Sequence, residues 1–333
     1  MKRAALALAA VALLSLLVPA GQPLAARRQL RVGPVVQSTY VKDPYEGGAF
    51  AGFQRAVREL GVEGRVVAPN PKAGVLPSIL YLARQKYDLV IGIGFLEVTA
   101  IDAAALRFPH TKFAIIDSSR NDLPHKPRNV RGGVFAAQEP SYLAGYLAAL
   151  MEKRRGGKDV IGSVGGYKIP TVDAYIAGFQ AGARKADPGI TTLNSYANSF
   201  ANPAKCKPVA LVQIAKDAGV IFQVASACGN GALQAAEEHG VWGIGVDIDQ
   251  SSLGPHILTS AIKKLDVAVF DTVQDFQRGT FKTGGDTVFN LVNGGVGLGK
   301  ISPKVPVVFL RRVERIHQQI VAGKIKVPST LRP

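Results

Sequence analysis

What most constrains this chain is a repeated alternation. Short apolar runs suited to buried strands are each followed by a segment with helical spacing, almost from end to end. "LRVGPVV" opens the series, and Ala49, Phe53, Ala56, Val57 and Leu60 follow at intervals that place one apolar stripe on one helix face. Gly61 stands where that helix should stop. "RVVAP" is a second strand candidate, and Pro77 suits the first turn of a helix from Leu76. "DLVIGIG" is the continuous apolar run of a strand covered on both faces. A helix over 97–106 and the strand "KFAIID" complete a first set.

The pattern then restarts. A helix from Pro140 to Glu152 leads to "DVIGSVGG", a helix from Pro170 to Lys185, "TTLNSYA", a helix from Pro203 to Ala218, "GVIFQVAS", a helix from Gly231, and "VWGIGVD". Two successive sets of parallel βα units predict an α/β protein of two doubly wound parallel-sheet lobes joined by a hinge. The first lobe is expected over 27–138 with a return segment at about 256–283, the second over 139–255 with 284–333. The final stretch reads as a strand "HILTSAIKK", a helix from Leu265 to Arg278, a strand near "TVFNLV", a loop "NGGVGLG" and a basic terminal helix. Ligands of such sheets bind beyond the carboxyl ends of strands, which singles out Gly94, Asp117, Ala227 and Asp247. "GIGVDIDQ" (243–250) ends a strand in two carboxylates two positions apart. Asp247 and Asp249 either face one target together, as i and i+2 do in extended chain, or one binds while the other caps the adjoining helix or turn.

With 333 residues, 47% of them hydrophobic, the chain has material for more than one core. Its first 26 residues have the order of an export signal: Lys2 and Arg3, an apolar run from Ala4 to Val18, then small residues, with cleavage near Ala26. A retained N-terminal anchor is the alternative. No Cys near that point serves for lipid attachment, so the expectation is a soluble, monomeric protein of the periplasm. The formal charge of +16 comes from dispersed bases such as Lys153–Arg155, Lys263–Lys264 and Arg311–Arg312, without interleaved aromatics. That predicts a solvated basic surface and no nucleic-acid site. In an oxidising compartment Cys206 and Cys228 form either a disulfide or two separate small buried residues.

Legible enzyme chemistry is sparse. The five His are scattered, none at a metal-binding spacing with Cys or a carboxylate. No G-x-S-x-G elbow, P-loop or G-x-G-x-x-G turn occurs, and "GSVGG" and "NGGVGLG" are ordinary turn glycines. Neither a catalytic group nor a cofactor is expected.

Eight segments in order carry a family resemblance: "FAIID" (113–117), "NVRGGVFAAQEPSYLAGYLAA" (129–149), "IGSVGG" (161–166), "AGFQAGA" (177–183), "GVDIDQ" (245–250), "LTSAIKK" (258–264), "NGGVGLG" (293–299) and "GKIKVP" (323–328). Over about residues 30–328 the chain resembles the basic membrane protein family of substrate-binding proteins for ABC transporters, and in particular purine nucleoside receptors. The resemblance implies a type I periplasmic binding protein, with a small ligand between its lobes and an ABC permease and ATPase as partners. It places Asp247 on the ribose hydroxyls, with a helix or turn cap as the plainer role. Lys263 is expected near the ribose, or else as a solvated Lys, and Asp249 is structural. Asp117 is expected to accept from a ring or exocyclic N–H, or else to serve as a turn residue. Gly94 and Phe95 match a cleft-wall "GF", with core packing as the other role for Phe95, and Phe200 is a candidate second stacking wall.

Three places depart from the family pattern. Relatives carry D-K-S-F-N where this chain has Lys42-Asp43-Pro44-Tyr45-Glu46. Tyr45 keeps the aromatic, but Glu46 replaces an amide with a group that, ionised, only accepts, which favours ligands with paired donors such as guanine over adenine. Their A-G-G-T-G appears as Ala225-Ser-Ala-Cys-Gly229, and their K-G-K as Lys205-Cys-Lys207, so both Cys fall at motif positions, which supports their pairing. The functional expectation is a receptor that passes a purine nucleoside or similar ring compound to a permease. A nucleoside-processing enzyme on the same fold and a ligand sensor for a signalling receptor are the alternatives.

Overall fold

The computed structural model describes residues 28–36, 44–69 and 73–331. The leader read over 1–26, and Lys42 and Asp43, lie outside them. In chain order the first pass holds β1 (Arg31–Val35), α1 (Pro44–Leu60), β2 (Glu63–Gly64), α2 (Leu76–Arg84), β3 (Leu89–Ile93), α3 (Val98–Arg107), β4 (Lys112–Ile116) and β5 (Val130–Phe135). The second pass holds α4 (Gln138–Arg155), β6 (Val160–Gly165), α5 (Pro170–Ala186), β7 (Thr191–Tyr196), α6 (Pro203–Ile214) and β8 (Val220–Val224). It continues with α7 (Gly229–Glu238), β9 (Trp242–Asp247) and β10 (Ile257–Lys263). The return holds α8 (Leu265–Arg278), β11 (Asp286–Phe289), β12 (Val296–Leu298) and α9 (Val307–Val321).

Two six-stranded sheets result, in the orders β11-β5-β4-β3-β1-β2 and β12-β10-β9-β8-β6-β7. All pairings are parallel except β10 with β12. Each sheet is covered on both faces, which is why β3, β6 and β8 are buried at every position. The apolar stripe of α1 is buried at Ala49, Phe53 and Ala56, in one cluster with Leu265, Val269 and Val273 of α8. Residues of α2 and α3 cover the other face of that sheet. In the second lobe α4 and α5 pack backbone to backbone. A Cβ on Gly145 would lie 1.9 Å from the Phe179 carbonyl oxygen, and one on Gly182 at the same distance from that of Tyr142.

Two of the expected lobe boundaries move. Ile257–Lys263 pairs with β9, so the return to the first lobe begins at α8 and not at about 256. Asp286–Phe289 pairs with β5, so this part of 284–333 belongs to the first lobe. The chain therefore passes between lobes before α4, before α8 and after β11. Elements shift as well. "NGGVGLG" contains β12, with Val296 in register with Lys263. "RVVAP" contributes only an isolated bridge, Val35 with Val67. The helix from Pro203 stops at Ile214. The glycine pair in "VRGGVF" weakens the strand signal of β5, yet it is needed there. A Cβ on Gly132 would lie 2.5 Å from the Arg120 nitrogen and 2.1 Å from Asp286 Oδ1.

Candidate ligand-binding site

Strand ends from both lobes meet around one cavity of about 690 Å³. That lies within the range of small-molecule sites, about 300–1,000 Å³. Asp247 closes β9 and is 5% exposed. Its φ is 67°, in the left-handed region, and the Ile248 N–H donates to the Val246 carbonyl at 2.8 Å across it. A three-residue turn therefore ends the strand at Asp247. Asp tolerates this conformation better than most side chains, at a cost of about 1–3 kcal/mol that clusters at functional sites. The turn also separates the two acids. Asp249 is exposed and accepts from the Ser251 N–H and hydroxyl at 3.1 and 3.0 Å. Of the two arrangements open to GIGVDIDQ, the chain adopts the one in which the second acid caps.

Gln250 anchors this turn from behind. It is 4% exposed, and its Oε1 accepts from the Val246 N–H at 3.0 Å and from Gln223 Nε2 at 2.7 Å. Its Nε2 donates to Asn230 Oδ1 on the cavity wall at 3.3 Å.

Asp117 holds the matching place in the first lobe. It follows β4, is 5% exposed, and has a φ of 66°. Its Oδ2 accepts from Lys263 Nζ at 2.7 Å and from the Tyr45 hydroxyl at 3.1 Å. Lys263 ends β10 at the crossing to α8, so this ion pair joins the lobes at the back of the cavity. Its ammonium lies 4.8 Å from the Tyr175 ring centre, 5.8 Å from that of Phe135 and 5.9 Å from that of Tyr45. Such contacts offset part of the cost of burying the charge. The Tyr175 hydroxyl donates to Asp247 Oδ1 at 3.3 Å. Burial, then the charges of Asp117 and Asp247, hold the Tyr45 phenol well above its ordinary pKa. Burial, then Asp247 and Asp117, do the same for Tyr175. Both phenols are therefore neutral donors, and this part of the cavity sets three donors, Tyr45, Lys263 and Tyr175, against two acceptors, Asp117 and Asp247.

The rest of the wall is largely apolar, with Phe95, Leu96, Ile169, Val172, Phe200 and Val224. The Phe200 ring meets Tyr167 edge-on at 5.1 Å and lies against the backbone of Gly166. Behind the first-lobe wall Glu97 is completely buried, and its Oε2 accepts from the Ile93 N–H at 3.2 Å. Oε1 has no hydrogen-bond partner among the described residues. Behind the second-lobe wall Cys206 and Cys228 are joined in a disulfide, with Cα atoms 5.6 Å apart.

Tyr45, Glu46, Gly94, Phe95, Asp117, Phe200, Ala227, Asp247 and Lys263, singled out from sequence, all line this one cavity. Lys263 is 4% exposed, which rules out the solvated role. Sequence reasoning missed Tyr175, Thr171, Ser226 and Asn230, which line it too. Thr171 and Tyr175 sit early in the helix that follows β6, and the rule about carboxyl ends of strands was the available signal. Tyr175 alone reads as a core aromatic at helical spacing.

Comparison with known proteins gives the family and the fold. Residues 30–330 match the family described as Bmp, ABC transporter substrate-binding protein PnrA-like. The ABC transporter nucleoside-binding protein BmpA of Lactococcus lactis is 33% identical over 264 residues, 74% of this chain and 72% of that protein. Basic membrane protein A of Borreliella burgdorferi is 30% identical over 303 residues, 90% of this chain and 88% of that protein. Among solved structures, a solute-binding protein of an ABC transporter system from Aeropyrum pernix K1 superposes with a TM-score of 0.77 at 24% identity. The match covers 90% of this chain and 94% of that one, and it shows the two-lobed fold. With both lobes inside the matched span, the chain belongs to the Bmp family of PnrA-like ABC transporter substrate-binding proteins.

Proposed function

We propose that this protein is an extracytoplasmic receptor that encloses a purine nucleoside, or a similar ring compound with vicinal hydroxyls, and passes it to an ABC permease. One observation carries the reading: Asp247 is presented by a left-handed strand end into a mainly apolar cavity, next to the Lys263–Asp117 pair. A carboxylate so placed accepts from two adjacent hydroxyls through its two oxygens. Tyr175 steadies one of those oxygens, and the Lys263 ammonium donates to the sugar from the hinge side.

In the first lobe the assignment changes. Asp117 Oδ2 is engaged by Lys263 and Tyr45, so Asp117 first holds the lysine, and Oδ1 serves for an N–H of the ring. Tyr45 and Phe200 supply aromatic faces from the two lobes. Glu46, 7% exposed on the cavity wall, favours a ring edge that presents two donors, as guanine does. The leader-like order of the first 26 residues supports a location outside the cytoplasmic membrane. Among the described residues no helix is long and apolar enough to cross a membrane.

A thermal-shift screen with nucleosides, bases, flavins and small sugars tests the reading, followed by calorimetry. A nucleoside at 100 times its Kd adds about 2.7 kcal/mol of stability. Guanosine is expected to bind more tightly than adenosine. If no nucleoside shifts the unfolding curve, the ligand class is wrong. Release of free base from an incubated nucleoside would move the protein to the enzyme reading.

A further inference from the structure

The second-lobe wall converges on one residue, Cys228. It ends a short 3-10 turn, Ser226–Cys228, that follows β8, and Ser226 and Ala227 of that turn line the cavity. Ser226 has a φ of 49°, a conformation that a serine seldom keeps unless its surroundings enforce it. The Cys228 N–H donates to the Phe200 carbonyl at 2.9 Å, and its sulfur is bonded to Cys206 in the first turn of α6. The chain from Phe200 to Cys206 thus returns to Cys228 at both ends, once through a hydrogen bond and once through sulfur. Inside that small ring, Asn202 caps α6 by accepting from the Ala204 N–H at 3.0 Å. Both Cys are fully buried. Phe200, Ser226 and Ala227 therefore share one covalent anchor.

We infer that the Cys206–Cys228 bridge positions the ligand wall: it sets Phe200, Ser226 and Ala227 before the ligand arrives, so that oxidation of this pair raises ligand affinity as well as stability. The reason is preorganisation. A wall that must be ordered at each binding event subtracts its ordering cost from affinity, and a cross-link removes that cost in advance. For the effect on affinity, the inference rests on the nucleoside reading above.

Cys206→Ala/Cys228→Ala tests it with two readouts. In the ligand-free protein, amide exchange at 199–201 and 225–229 is expected to quicken at least about tenfold, with β10 and the middle of α4 unchanged. Calorimetry with the tightest nucleoside is expected to give a Kd about tenfold higher. Unchanged exchange in those two segments overturns the inference, and so does faster exchange with an unchanged Kd. If the double alanine variant does not fold, Cys206→Val/Cys228→Ala keeps more of the apolar volume and carries the same measurements. If wild type binds no nucleoside, the nucleoside reading fails, and the exchange result alone then decides whether the bridge positions the wall.

Discussion

The two lobes build the same cavity edge from different materials. In each, one strand ends in a short 3-10 turn that leads into a helix: β3 into Phe95–Glu97 and α3, β8 into Ser226–Cys228 and α7. In each, the next strand ends in a left-handed aspartate, Asp117 at 66° and Asp247 at 67°. Glu97 and Cys228 occupy corresponding turn positions. The first lobe secures its turn with a buried carboxyl that accepts one backbone N–H. The second secures it with a disulfide and with Gln223 Oε1, which accepts from the Ala225 N–H at 3.0 Å. The aspartates differ as well, since Asp117 is engaged by a lysine and Asp247 by a neutral phenol. Matching backbone positions thus give the first lobe an acid that clasps a lysine of the second, and give the second lobe an acid that accepts from its own tyrosine.

If the two aspartates were interchangeable, their removal would have equal effects; the largest expected effect says otherwise. Asp117→Ala leaves the Lys263 ammonium buried without its carboxylate, a loss of about 3–5 kcal/mol in unfolding free energy measured by denaturant. A loss below about 1 kcal/mol would show that the pair does not hold the lobes.

Asp247→Ala is next, and its effect falls on binding. Removing a charged acceptor from two hydroxyls is expected to weaken nucleoside binding about 100-fold by calorimetry. The unfolding free energy is expected to fall by less than in Asp117→Ala, whose carboxylate pairs with a buried ammonium. A folded variant that binds as tightly as wild type would remove Asp247 from the site.

The smallest effect separates the two turns by pH. Burial raises the Glu97 pKa well above its ordinary value; the Ile93 N–H opposes that, and the Glu46 charge adds to it. The folded state thus keeps this proton where the unfolded chain has released it. The stability it contributes is fully present below the ordinary carboxyl pKa and is lost as pH climbs through the raised one. Glu97→Gln mimics the neutral form. At about pH 8 it is expected to raise the unfolding temperature by roughly 2–4 °C, and near pH 4 to leave it unchanged. An equal shift at both would mean that packing, not ionisation, governs this turn.

Much of this was legible from residue order, for reasons that differ by element. The buried parallel strands announce themselves because short apolar runs such as LVIGI, or VIFQV with its single polar residue, alternate with segments of helical spacing, and α8 falls where it was expected. The strand-end aspartates were found by combining a strand signal with the rule that such sheets bind at their carboxyl ends. The lobe crossings were not, because whether Ile257–Lys263 pairs with β9 or returns to the first sheet depends on a partner distant in sequence. β12 was hidden by its glycines, and Tyr175 by resembling any core aromatic. That Asp249 turns away depends on a single backbone angle, at Asp247.

The threefold passage between lobes also sets an order of assembly. The first sheet lacks an edge until Asp286–Phe289 lies beside β5, and α1 lacks its packing partner until Leu265–Arg278 is present. A ribosome that has delivered only the first half of the chain has therefore delivered a lobe that cannot finish itself, with apolar surface still waiting for residues some 150 positions downstream. The first domain to be translated is therefore among the last to be completed.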